Sequence, residues 1–311
     1  MTINLYQQAA KATGTAMPTP GAPGKTVTEF YQALSLKHGL VGSELVNGLR
    51  MYAPDPTKQL GLDASQVYAD VSAGQPPTAT VGAVGKFDTS AVAAAAKKAS
   101  TGLTTPTYDK TTVYRWGEDQ QIDLSQANSG LFTQVGGSRR MAFPNSSTML
   151  FGTTDPTVHA ELDAATDPAK SLASNADFAA AATELDTQHV FSAILTTEPP
   201  PVGGVLTKLK AKALAPYRLV GVGVTGTTGK TSTVVIVLVN SDAATATTNA
   251  TKLSDIVAKG TSITNKVPWA EFLTVKDIHA EGSLTIGTFG TTKPGIWPRL
   301  IFAPDTLLTH S

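Results

Sequence analysis

The sequence contains no cysteine. That removes disulfides, thiolate nucleophiles and every Cys-ligated zinc or iron–sulfur centre. Charge is sparse: 15% of residues are charged, 24 basic against 24 acidic, with zero formal net charge. No basic stripe runs along the chain, so nucleic acid has no electrostatic foothold. No apolar run reaches the roughly 18 residues that mark a candidate membrane span. Residues 1–10 lack a basic segment followed by an apolar core, so no signal segment is read in this chain. There is no G-x-S-x-G elbow for a serine hydrolase. None of His38, His159, His189, His279 and His310 lies four residues from another, so H-E-x-x-H zinc chemistry has no motif. Aromatic residues make up only 6%. Tyr114, Trp116, Trp269, Phe272 and Trp297 are therefore read as core or sheet cover in preference to a carbohydrate or peptide surface.

The 311 residues suffice for one large or two ordinary domains. The segment 11–24, KATGTAMPTPGAPG, offers little to bury, and 1–26 is expected to be a flexible leader or tether. From there the order reads strand, helix, strand, strand, helix, strand, then hairpin, helix, hairpin. Hairpins carrying helices predict an α+β fold of mainly antiparallel sheets with helices on one face. Two ferredoxin-like halves are expected, 27–186 and 187–311. Short helices are also expected at 124–127 and 206–214, and longer ones at 91–99, 156–165, 176–185 and 244–259. Asp88-Thr89-Ser90, Asp155, Ser174 or Asn175, and Ser241-Asp242 are the expected caps.

The stretch VTGTTGKTSTVVIVLV, 224–239, carries the sharpest chemical question. Thr225-Gly226-Thr227-Thr228-Gly229-Lys230-Thr231 resembles the TGTxGKT loop of the Mur ligases, which implies an ATP-dependent ligase. Gly226 and Gly229 would let backbone N–H groups reach the phosphates, Lys230 would supply charge, and Thr231 would hold Mg²⁺. A phosphate loop must open a helix, whose aligned N–H groups and dipole hold the anion. Here a β-branched run follows, which favours a strand. The general pattern also requires glycine where Val224 stands. The preferred reading is a β-hairpin with Gly226 to Gly229 as turn material.

Other candidates are weaker. Glu118, Asp119 and Asp123 form an acidic cluster able in principle to do acid–base work. Ser138-Arg139-Arg140 offers an anion site. Both are read as solvated charge.

A second set of motifs carries a resemblance. It comprises Leu60-Gly61-Leu62-Asp63, Gly85-Lys86-Phe87-Asp88 and SLASNADF from Ser171 to Phe178. Their "LGxD", "GxFD" and "SLxxNxxF" pattern resembles a family of uncharacterised exported bacterial proteins, often lipoproteins. The likeness covers roughly residues 58–260. It implies an anchored extracytoplasmic protein without known chemistry or catalytic residues. The expectation is a non-enzymatic extracytoplasmic binding or structural protein, with no cofactor, no metal site, no membrane span and an unknown protein or cell-surface partner. The alternatives are the Mur-like ligase and a surface or filament protein assembling itself through open sheet edges.

Overall fold

A computed structural model describes residues 1–43, 45, 61–74, 78–98, 102–124, 137–197, 213–228, 231–302, 305 and 307–310, with backbone alone at 227 and 228. The expected helix at 206–214 falls mostly outside these residues, as does all but Leu124 of the one at 124–127. The chain is α+β, with helices and antiparallel sheet, and divides into two compact units. The first comprises Met1–Ala10, Thr15–Ala33 and Gly42–Ser171; the second comprises Lys11–Gly14, Leu34–Val41 and Leu172–Ser311.

β1 (Thr2–Leu5) runs directly into α1 (Tyr6–Thr13), which belongs to the first unit up to Ala10, and α2 spans Gly24–His38, of which the first unit holds the residues up to Ala33. The leader expected at 1–26 is thereby corrected over its first thirteen residues and its end. The elements are short and polar, but Tyr6, Ala9 and Ala10 are buried. Then come β2 (Val67–Ala73), β3 (Thr80–Gly85), α3 (Thr89–Lys98), β4 (Leu103–Thr104), β5 (Thr107–Tyr108) and β6 (Thr111–Trp116). The hairpin β7 (Arg139–Asn145) and β8 (Thr148–Gly152) precedes α4 (Asp155–Thr166). Residues 107–116 form a tight hairpin, because Asp109 and Lys110 both take left-handed conformations (φ 42 and 66).

The strand order here is β1-β2-β3-β8-β7-β6-β4, with β5 on β6, all antiparallel. Paired residues face the same side of a sheet. One cross-sheet row is Val71, Gly82, Leu150, Ala142 and Val113. Val158 and Leu162 of α4 pack on its Leu150–Ala142–Val113 end. The other face carries Asn4, Asp70, Ala83 and Met149, and there Tyr6 of α1 meets Asp70 and Tyr31 of α2.

The second unit holds α5 (Ala176–Thr187), β9 (Ser192–Thr196), β10 (Tyr217–Thr228), β11 (Thr231–Asn240), α6 (Ala243–Lys259), β12 (Thr274–Glu281), β13 (Leu284–Thr291) and α7 (Arg299–Phe302). Its order is β9-β10-β11-β13-β12, again antiparallel. A Cβ added at Gly221 would stand 3.0 Å from Leu185 of α5, and one at Gly287 3.2 Å from Leu253 of α6. Gly221 shares a row with Val237, whereas Gly287 shares one with Ile236. Adjacent residues of β11 face opposite ways, so α5 and α6 cover opposite faces. Helices on one face, as expected from sequence, is therefore corrected in both units. Double coverage also explains β11: Val234 to Val239 are all buried, and only a strand covered on both sides is apolar without alternation.

Candidate functional site

The residues of the phosphate-loop alternative lie in the β10–β11 hairpin. Thr228 pairs with Thr231 and Thr227 with Ser232, after a register shift following Val224. Gly226 packs on the end of α1, where an added Cβ would stand 2.9 Å from the Ala12 carbonyl oxygen. Gly229 and Lys230 lie outside the described residues. Thr231 opens a strand paired with β10 on one side and β13 on the other, not a helix. The next helix, α6, starts at Ala243, and its N-terminus is closed by an anion of the chain itself. The Asp242 carboxylate accepts from the Thr245 N–H at 2.7 Å. That bond and the Ser241 hydroxyl hold its pKa below the ordinary carboxylate value. The aligned amides that would seat a triphosphate are thus not assembled behind Gly226 and Thr231.

Glu118 and Asp119 of the acidic cluster and Arg140 of the arginine pair, read separately in the sequence, belong to one network in space. β7 turns Arg140 onto the α4 face, where it is wholly buried. Its guanidinium pairs with Asp119 at 2.5 Å and with Asp155, and donates to the carbonyls of Trp116 (3.1 Å) and Arg139 (3.0 Å). Asp119 also accepts from the Asp155 N–H at 3.0 Å. Arg115 pairs with Glu118 and lies 3.5 Å from Asp155. Asp155, expected as the helix cap, is instead the first residue of α4. Thr154 is the cap and forms a capping box with Thr157. Two arginines and three carboxylates are thus paired in one network with one excess negative charge, and Asp155 lies at the positive end of the helix dipole. Glu118, Asp119 and Asp123 are exposed, as expected from sequence, but Arg140, expected to be solvated, is buried.

A polar centre that sequence reading missed surrounds Asp70. Its carboxylate accepts from Asn4 Nδ2 at 3.0 Å, from the Tyr6 hydroxyl at 2.5 Å and from the Ser43 hydroxyl at 2.5 Å. All four side chains are buried. Burial raises the pKa of Asp70, against the lowering effect of Ser43, Tyr6 and Asn4. Burial likewise pushes Tyr6 well above its ordinary value, with Asp70 adding to the rise. Donors from two distant segments, residues 4–6 and Ser43, converge on one carboxylate, and no local motif announces that.

The motifs behind the family resemblance are structural. Gly61 takes φ +64, and an added Cβ would lie 2.4 Å from the Ala91 backbone. Asp63 accepts from Ser65 N–H, the Ser65 hydroxyl, Gln66 Nε2 and the Gly21 N–H. Gly85 is pressed onto the Gln66 carbonyl, which accepts from Lys86 N–H at 3.0 Å. Asp88 then caps α3 through Ala91 N–H. "LGxD" and "GxFD" thus form one junction. Asn175 of the third motif caps α5 through the N–H groups of Asp177 and Phe178.

The remaining candidates are dispersed. His159 stacks on Tyr108 with ring centres 3.7 Å apart, His279 pairs with Asp277 at 2.6 Å, and His310 meets the Tyr217 ring. Among the described residues no three His, Asp or Glu side chains are grouped for a metal ion. Trp269 and Trp297 are buried core residues, the latter donating from Nε1 to the Gly39 carbonyl. Trp116 lies 6.5 Å from Tyr114. No helix among the described residues is long and apolar enough to cross a membrane.

No family model matches the chain, and no curated protein does. Among solved structures, crystal form I of TP0453 is similar at a TM-score of 0.39 and 9% identity, over 94% of this chain and 89% of that one. Crystal form III gives 0.37 and 12%, over 75% and 78%. Likenesses of this strength carry no argument about fold or function.

Proposed function

We propose that this chain is a non-enzymatic binding or structural protein of the bacterial cell exterior. The observation that carries the reading is the strand Thr231–Asn240. A nucleotide loop needs a helix N-terminus immediately after its lysine and hydroxyl residues, and the chain instead continues extended between β10 and β13. The charged clusters support the same reading, since Arg140, Arg115, Asp119 and Asp155 are occupied with one another. The extracytoplasmic placement rests on the resemblance carried by the Gly61–Asp63, Gly85–Asp88 and Ser171–Phe178 motifs. The ferredoxin-like reading of each half belongs to this proposal too. It is supported by β11, α6, β12 and β13, with β13 seated between the other two strands.

Assembly through open edges draws less support. β12 carries a register shift between Val275 and Asp277 and exposes Lys276, Asp277 and Glu281. Bulges and edge charges are the means by which edge strands avoid pairing. Titration of the full chain and of Lys230→Ala with Mg-ATP by calorimetry tests the reading. Neither is expected to show saturable binding; binding by the wild type that the variant loses would replace the proposal with a nucleotide-dependent enzyme.

A further inference from the structure

Helix α4 sits very close to the sheet. Gly152 of β8 has no side chain to hold it off: an added Cβ would stand 2.7 Å from Thr157 Oγ1 and 2.9 Å from Val158 Cγ2. Opposite Gly152 in the sheet is Thr80, whose hydroxyl donates to the Phe151 carbonyl at 3.2 Å. One turn along α4 from Val158, Glu161 is brought down beside Thr80. Its Oε2 is shut off from solvent and has no hydrogen-bond partner among the described residues.

The charged groups on the surrounding elements are engaged elsewhere. From β7, Arg140 holds Asp119 and Asp155, and Arg139 donates to the Ser138 carbonyl and lies over Phe151. From β6, Arg115 holds Glu118 and Asp155. Lys170 pairs with Asp163, which also accepts from the Tyr108 hydroxyl, while His159 stacks on the Tyr108 ring. β3 and β8 contribute no charged side chain.

We propose that Glu161 makes the seating of α4 on the sheet pH-dependent: the helix is held while this carboxyl carries its proton and loosens when it ionises. A carboxylate with one buried oxygen unbonded and no cation beside it loses hydration that nothing replaces. Burial accordingly raises its pKa from 4.5 to about 7, with the neighbouring Thr80 side chain acting against the rise. A lifted helix returns the group to its ordinary value. The seated state therefore binds the proton more tightly, and seating weakens as pH climbs from 4.5 to about 7. Loosening uncovers Leu150, Ala142 and Val113, which continue the row that Val71 already exposes. The device stands independently of what the protein binds.

Native-state hydrogen exchange on the full chain, corrected for intrinsic rates, reads the seating. Opening of α4 is expected to rise about tenfold or more between pH 5 and pH 8, while α6 stays flat as an internal reference. Glu161→Gln, which imitates the protonated group, is expected to abolish the change. A flat wild-type response, or the same response in the variant, overturns the proposal. Should the variant not fold, a ¹³C titration of the wild-type Glu161 carboxyl decides. A midpoint near neutrality supports the device, and an ordinary carboxylate midpoint rejects it.

Discussion

The hydroxyl of Tyr6 donates to Oδ2 of Asp70 at 2.5 Å, joining the first turn of α1 to the second strand of the sheet. The bond fixes a chain start whose own sequence is too short and polar to hold a helix alone. Tyr6→Phe is expected to lower stability by about 1–3 kcal/mol, because it strips a buried acceptor of a partner. Asp70→Asn keeps one acceptor oxygen and is expected to cost less than Asp70→Ala. Urea denaturation checks both. The pH dependence follows from the raised pKa of Asp70. The folded chain binds that proton more readily than the unfolded one, so this group's contribution falls as pH rises through the ordinary carboxylate range to its raised value. Asp70→Asn removes that component of the stability profile.

Arg140 gives a second test. It is wholly buried and serves two carboxylates and two carbonyls. Arg140→Ala is expected to cost about 3–5 kcal/mol, since it strips Asp119 of its arginine and leaves Asp155 with Arg115 alone. The exposed Lys259–Asp255 pair, by contrast, is expected to give under about 1 kcal/mol on Lys259→Ala. Thermal unfolding of the two variants in parallel compares them.

Two glycines separate backbone strain from steric collision. Gly61 and Gly282 both take positive φ, but an added Cβ meets the Ala91 backbone at 2.4 Å in the first and nothing within 4 Å in the second. Gly282→Ala is expected to cost about 1 kcal/mol, from conformation alone. Gly61→Ala is expected to exceed about 2 kcal/mol and to loosen the junction with α3. Denaturant midpoints, with exchange at residues 89–98, check the difference.

The parts of this fold that could be read in the sequence are those set by local chemistry. Asp88, Asn175 and Asp242 cap helices where Asp88-Thr89-Ser90, Ser174 or Asn175, and Ser241-Asp242 were the expected caps. β10 and β11 pair as the run of β-branched residues required. What escaped depends on distant partners. α1 is stabilised through Asp70, and the charge cluster forms because β7 carries Arg140 to Asp119 and Asp155. On α6 the buried face begins with Ala246 and Asn249. Asn249 is drawn in by Asn240 and the Ala215 backbone. One signal was present and misread: six consecutive apolar residues, Val234 to Val239, already imply a strand covered on both faces.

The most direct test is the backbone conformation of Thr231–Asn240 in solution with Mg-ATP present. Carbon secondary chemical shifts are expected to be those of a strand over the whole segment and unchanged by nucleotide. Helical shifts there, or a nucleotide-dependent switch toward them, contradict the account.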